Sequence, residues 1–271
     1  MNASPTERPI GAFDSGVGGL TVVKAMRELL PAEDILYLGD TARVPYGNKS
    51  PDTIIRYSRE IMTYLRGKNV KAVVVACNTA SAHALSILQK ETVVPVIGVI
   101  APGVEAALAA TRNGRIGVIG TQGTIQSDAY QNQLRLSRPG IVITAVAAPL
   151  LVSLVEEDWL SHQATQLIME EYLAPMKAAR VDTVVLACTH YPLLKALAQR
   201  VLGPDVVLVD SAQNAAATLA RELKKAGLNR PARTESGHAT ICSTDVPAQF
   251  LRLAERFLGE KIGAIQQVAV G

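Results

Sequence analysis

Three short stretches of this chain recur in the same order and at nearly constant separation. Gly11-Ala12-Phe13-Asp14-Ser15 lies against Gly117-Val118-Ile119-Gly120-Thr121, an offset of 106. Val75-Ala76-Cys77-Asn78-Thr79 lies against Leu186-Ala187-Cys188-Thr189-His190, an offset of 111, and residues 96–99 lie against 206–209, an offset of 110. A sequence that repeats itself must bury the same apolar faces twice, which constrains the fold more than any local propensity. The spacing is that of a domain rather than a solenoid unit, so the chain reads as an internal duplication of one domain.

Within each copy, strand-length apolar runs alternate with helical spacing. Residues 9–13 form a strand that enters the Gly-rich turn Asp14-Ser15-Gly16-Val17-Gly18-Gly19, and residues 20–30 show helical periodicity. A strand over 34–38 ends at Gly39-Asp40, and a helix follows over 51–66. The β-branched run 70–76 stops at Cys77-Asn78-Thr79 before a helix over 80–90, and 93–100 supplies a fourth strand. The series then restarts with strand 115–119, the turn 120–124 and a polar helix through Asp128 and Tyr130. Strand 141–147, helix 163–179, strand 181–187 and strand 206–209 complete it. An apolar share of 48% with only 4% aromatic residues suits parallel strands buried between helices. The expected fold is therefore α/β, with two similar doubly wound parallel-sheet domains and the active site in the cleft between them. Residues 1–98 with 211–271 form the first domain and carry Cys77; residues 99–210 form the second and carry Cys188.

A net charge of +3 without a long basic run gives no reason to expect a nucleic-acid partner. No apolar run approaches the roughly eighteen residues needed to span a bilayer. The polar opening, residues 1–9, lacks the apolar stretch of a secretory signal, and three widely spaced cysteines suit a reducing compartment. A cytoplasmic protein is expected.

In open parallel sheets, ligands bind beyond the carboxyl ends of the strands. Both duplicated cysteines stand at such ends. Each also precedes an expected helix start, with Asn78 and Thr79, or Thr189, in capping positions. Backbone N–H groups there would draw the thiol pKa from about 8.5 toward neutrality. One thiol on each side of a small ligand is the arrangement that inversion of a stereocentre demands, since one group removes a proton and the other returns it to the opposite face. Asp14 and His190 are the nearest titratable groups on the same rim. Ser15, Asn78, Thr79, Thr121, Thr124 and Thr189 offer donors for an anionic substrate.

Taken together, several motifs resemble those of the glutamate racemases, in the family's order. They are residues 13–20, Gly39-Asp40-Thr41 with Pro45-Tyr46-Gly47, Cys77-Asn78-Thr79, Leu154-Val155-Glu156-Glu157 and Cys188-Thr189-His190-Tyr191-Pro192. The resemblance implies a cofactor-independent, metal-free isomerase that interconverts L- and D-glutamate and supplies D-glutamate for peptidoglycan. It implies that Cys77 serves the D-enantiomer and Cys188 the L-enantiomer, with Asp14 and His190 assisting and Asp40 and Glu156 in support. Substrate contacts would come from Asp14, Ser15, Pro45, Tyr46, Gly47, Asn78, Thr79, Thr121, Thr189 and His190. One departure is Ala147-Ala148 ahead of Pro149, where many relatives carry a further cysteine.

Two other readings stay open. One is an aspartate or hydantoin racemase of the same superfamily; the other is a non-catalytic amino-acid-binding protein, which would have no need of two thiols. No membrane association is expected, and a homodimer stays open. Cys242, in the strand-like run 239–242, has no duplicated counterpart and reads as core. His83 reads as structural or exposed, and His162 and His238 as solvated.

Overall fold

The computed structural model describes residues 4–232 and 234–271. The first three residues of the polar opening segment therefore lie outside the described residues. The chain divides into two compact units, Met1–Val99 with Ala212–Gly271, and Ile100–Ser211.

The first unit runs β1 (Ile10–Asp14), α1 (Leu20–Leu29), β2 (Ile35–Gly39), α2 (Pro51–Gly67), β3 (Ala72–Val75), α3 (Asn78–Lys90) and β4 (Val96–Gly98). The second runs α4 (Ile100–Ala110), β5 (Arg115–Gly120), α5 (Gln122–Gln126), α6 (Ala129–Ser137), β6 (Val142–Ala147), α7 (Leu150–Glu156), α8 (Gln163–Ala178), β7 (Thr183–Ala187), α9 (Lys195–Leu202) and β8 (Val207–Asp210). From α10 (Ser211–Ala226) the chain returns to the first sheet through β9 (Ala239–Ser243), α11 (Phe250–Leu258) and β10 (Ile265–Gln267). All pairings are parallel, in the orders β10-β9-β2-β1-β3-β4 and β6-β5-β7-β8.

Strands buried on both faces need no polar alternation, which is why β3 is all Ala and Val and wholly buried. One face of the first sheet, with Phe13, Leu36, Leu38, Val73 and Val75, packs on Ile54, Ile61 and Leu65 of α2 and Ala80, Ala84 and Leu88 of α3. Helix α2 begins where Ser50 accepts the Thr53 N–H, with Pro51 in the first turn.

The duplication is visible in the strand registers. Gly11 pairs with Val73 and Leu36, and Gly117 with Val184 and Thr144, so the first and third strands match at the offsets 106 and 111 read from the sequence. A crossover helix presses on each of these central glycines. A Cβ at Gly11 would stand 3.3 Å from Leu65 of α2, and one at Gly117 would stand 2.7 Å from Met176 of α8.

Three expectations need correction. The fourth strand covers only Val96–Gly98, because its partner β3 ends at Val75 and Ile100 already begins α4. Its counterpart is displaced by two residues: Val73 pairs with Val96 and Val184 with Leu208, so the offset is 208 − 96 = 112 rather than 110. A two-residue slip keeps every side chain on its face, so the alternation of apolar residues could not reveal it. The polar helix through Asp128 is two helices, α5 and α6, broken by Asp128 itself at φ 55°. His162 is exposed, as expected, and in that position it caps α8, its Nδ1 accepting the Ala164 N–H at 3.1 Å, with its ring against Trp159.

Candidate active site

In the first unit, β1 delivers Asp14 to the carboxyl end of the sheet, 1% exposed. Its carboxylate accepts the N–H of Ser15 at 2.8 Å and of Gly19 at 2.6 Å, folding residues 14–19 into a tight turn. Across the turn stands Cys77, two residues beyond β3. Cys77 is itself the N-cap of α3: its Sγ accepts the Ala80 N–H at 3.4 Å and lies 3.8 Å from Ser15 Oγ. Asn78 and Thr79, expected as caps, are the first residues of the helix and are buried. Burial pushes the Cys77 thiol up, and the Asp14 carboxylate pushes it further. The N–H groups of Ala80 and Ser15 pull the other way and lose. The expectation of a thiol drawn toward neutrality is thus reversed at Cys77.

Asp40, at the end of β2, is fully buried and holds three donors: Arg43 Nε at 2.7 Å, Thr244 Oγ1 at 3.0 Å and the Tyr46 hydroxyl. Arg43 also pairs with Glu60 of α2 and lies over the Tyr57 ring at 4.0 Å. Asp40 thereby anchors the loop that presents Pro45, Tyr46 and Gly47. The Tyr46 ring packs in the core, so what it can offer a ligand is backbone.

In the second unit, β7 delivers Cys188, 6% exposed, at the corresponding strand end. No helix starts here: a short 3₁₀ turn, Tyr191–Leu194, comes first, and α9 begins only at Lys195. Thr189 is therefore not a helix cap. The neighbour of the thiol is a histidine instead. His190 Nδ1 lies 3.9 Å from Cys188 Sγ and 3.5 Å from Thr189 Oγ1, while Nε2 meets Glu156 Oε1, at the end of α7, at 2.9 Å. Burial opposes the His190 cation, but the hydrogen bonds to Cys188 and Glu156 outweigh it and push its pKa up to about 10. The raised pKa favours the imidazolium form, in which Nδ1 can donate to sulfur and Nε2 to Glu156. Thr121 caps α5 by accepting the Thr124 N–H at 3.3 Å, and the two hydroxyls meet at 3.0 Å.

Each unit thus ends its third strand in a buried thiol beside a titratable partner, a carboxylate in one and an imidazole in the other. The family described as Asp/Glu/Hydantoin racemase matches residues 16–219 of this sequence. The chain belongs to that family. It is an isomerase, and its similarity to glutamate racemases extends over nearly its whole length. The glutamate racemase of Geobacter metallireducens is 49% identical over 263 residues, covering 97% of each chain. That of Neisseria meningitidis serogroup B is 48% identical over 266 residues, covering 98% of each. The solved glutamate racemase of Francisella tularensis in complex with D-glutamate superposes with a TM-score of 0.91 at 37% identity, covering 97% of this chain and 98% of that one.

Within this racemase fold, the first unit brings together Asp14, Ser15, Cys77, Asn78 and Thr79 and, through Asp40, the Pro45-Tyr46-Gly47 loop. The second brings together Cys188, Thr189, His190 and Glu156, and separately pairs Thr121 with Thr124. Arg43, Glu60 and Thr244 were not singled out from sequence. Arg43 sits three residues from Asp40 and could have been found as its counter-charge, but Thr244 is 204 residues away and no local signal links them.

Proposed function

We propose that the chain is a cofactor-independent glutamate racemase that inverts the α-carbon by two proton transfers, one by each thiol. Cys188 serves L-glutamate and Cys77 serves D-glutamate. The observation that carries this reading is the pair of buried thiols at equivalent strand ends of two units with matching strand order. In the L-to-D direction, Cys188 beside the His190 imidazolium takes the α-proton, and Cys77, held as a thiol by burial and Asp14, returns one. In the reverse direction the Asp14 carboxylate, which interacts with the thiol, is the base for the Cys77 proton. Ser15, Asn78, Thr79, Thr121, Thr189 and the backbone of residues 45–47 bind the substrate, with Asp40, Thr124 and Glu156 in support. No added cofactor or metal is needed, and D-glutamate supplies peptidoglycan synthesis in a bacterial cytoplasm.

The test is incubation of the purified protein with L-glutamate in D₂O without cofactor, read by chiral chromatography and mass spectrometry. D-glutamate carrying α-deuterium is the expected product. Aspartate, one methylene shorter, misplaces its α-carbon and turns over far more slowly. Comparable turnover of aspartate would transfer the reading to an aspartate racemase, and inert glutamate would leave a binding protein.

The His190 environment sets the alkaline limb. Its raised pKa means that the cation is present below the ordinary value of about 6.5 and persists until the pH passes about 10, where its contribution to both stability and activity is lost. Glu156→Gln removes one of the raising partners, so the alkaline limb of kcat/KM should move down by about one pH unit or more. Superimposable profiles between pH 7 and 10.5 for the variant and the parent would remove His190 from this role.

A further inference from the structure

The turn that carries Asp14 and Ser15 is held from β2 as well as by Asp14. The carbonyl of Gly16 accepts the Tyr37 hydroxyl at 2.6 Å, and the phenol is fully buried. Two residues along the same strand, hence on the same face, Gly39 leaves the room that this carbonyl occupies: a Cβ there would stand 2.4 Å from the Gly16 oxygen. The Asp14 carboxylate binds the Ser15 and Gly19 N–H groups of the same turn and also faces Cys77. A carboxylate that must both tie a turn and attend a thiol is best placed when another group shares the tie.

We propose that Tyr37 is a positioning residue for the proton transfer at Cys77, acting through its hydrogen bond to Gly16 and the Asp14–Ser15 turn. The inference rests on the two-thiol reading above. Burial raises the phenol far above its ordinary range, so it stays a donor throughout the working pH. Without the hydroxyl, the Gly16 carbonyl loses its donor, and Asp14 and Ser15 are free to shift against a sulfur 3.8 Å from Ser15 Oγ. Small displacements at a proton-transfer site cost rate out of proportion to their size.

Tyr37→Phe should lower kcat/KM by about tenfold, equally in both directions, the effect of losing one positioning hydrogen bond. The decisive readout is isotopic. With the Cys77 step slowed, α-deuterated D-glutamate should show a larger isotope effect relative to α-deuterated L-glutamate than in the parent. Gly39→Ala, which drives a methyl against the same carbonyl, should shift the ratio in the same direction. Tyr64→Phe, which removes a half-buried hydroxyl facing Cys242 Sγ at 3.8 Å, should leave both rate and ratio unchanged. An active parent whose Tyr37→Phe variant keeps the parent's isotope ratio, with or without a loss of rate, overturns the assignment, because a general loosening would not select one enantiomer. A parent that fails to racemise glutamate at all overturns the underlying reading, and this inference with it.

Discussion

Cys77→Ser and Cys188→Ser are each expected to lower kcat/KM for both enantiomers of glutamate together, by about 10²- to 10⁴-fold, the range for loss of a positioned acid or base. The two directions cannot diverge. L- and D-glutamate have equal free energy in water, so kcat/KM must be the same for both in any variant, however unlike the two thiols are. Asymmetry shows only in which proton transfer limits the rate. In Cys77→Ser the slow step is removal of the α-proton of D-glutamate, so deuterium on that enantiomer should slow its reaction more than deuterium on L-glutamate slows the reverse. In Cys188→Ser the preference should invert. Competitive measurement with α-deuterated enantiomers decides the matter, and equal isotope effects for both substrates in both variants would leave a single shared base as the simpler account.

The two thiols were legible because strand-end cysteines recurred in a duplication, and strand ends are where ligands meet parallel sheets. Their electrostatics were not. The helix N-terminus at Cys77 does supply the Ala80 N–H, as its sequence suggests, but that pull is weaker than the burial and the Asp14 charge that sequence leaves unweighted. At Cys188 the helix is missing, and the pairing of His190 with Glu156 spans 34 residues. Glu156 entered only through the family resemblance, and the packing of α7 is what brings it to the imidazole. The duplicated units thus keep their topology and their thiols while differing in the group beside each thiol. A carboxylate opposes charge on Cys77; an imidazolium faces Cys188. That difference suits a reaction in which, for either enantiomer, one sulfur must begin by accepting a proton and the other by holding one.

At the opposite end of the first sheet, the largest stability effect is expected from Lys71→Met. Lys71 stands just before β3, 2% exposed, and its ammonium donates to Glu33, just before β2, and to the Thr6 carbonyl ahead of β1 at 2.6 Å. Arg230, on the return toward β9, donates its backbone N–H to Glu33 at 2.8 Å and pairs with Asp34 at 2.6 Å. The cluster therefore ties the starts of three strands to the segment that re-enters the sheet. None of this was legible, because the partners lie 38 and 197 residues apart along the chain. Burial lowers the Lys71 pKa despite Glu33, so desolvation offsets much of the attraction, and the pair adds little net stability. Breaking it is a different matter. With the ammonium gone, the Glu33 carboxylate is left buried with Arg230 as its remaining partner, a loss of about 3 kcal/mol at the low end for a severed buried pair. Adding Glu33→Gln to Lys71→Met should recover part of that loss, since the uncompensated charge is then removed. Denaturant midpoints for the two single variants and the double variant test this. A Lys71→Met protein as stable as the parent, or a double variant less stable than the sum of its parts, would show that the cluster is not held by the charge on Glu33.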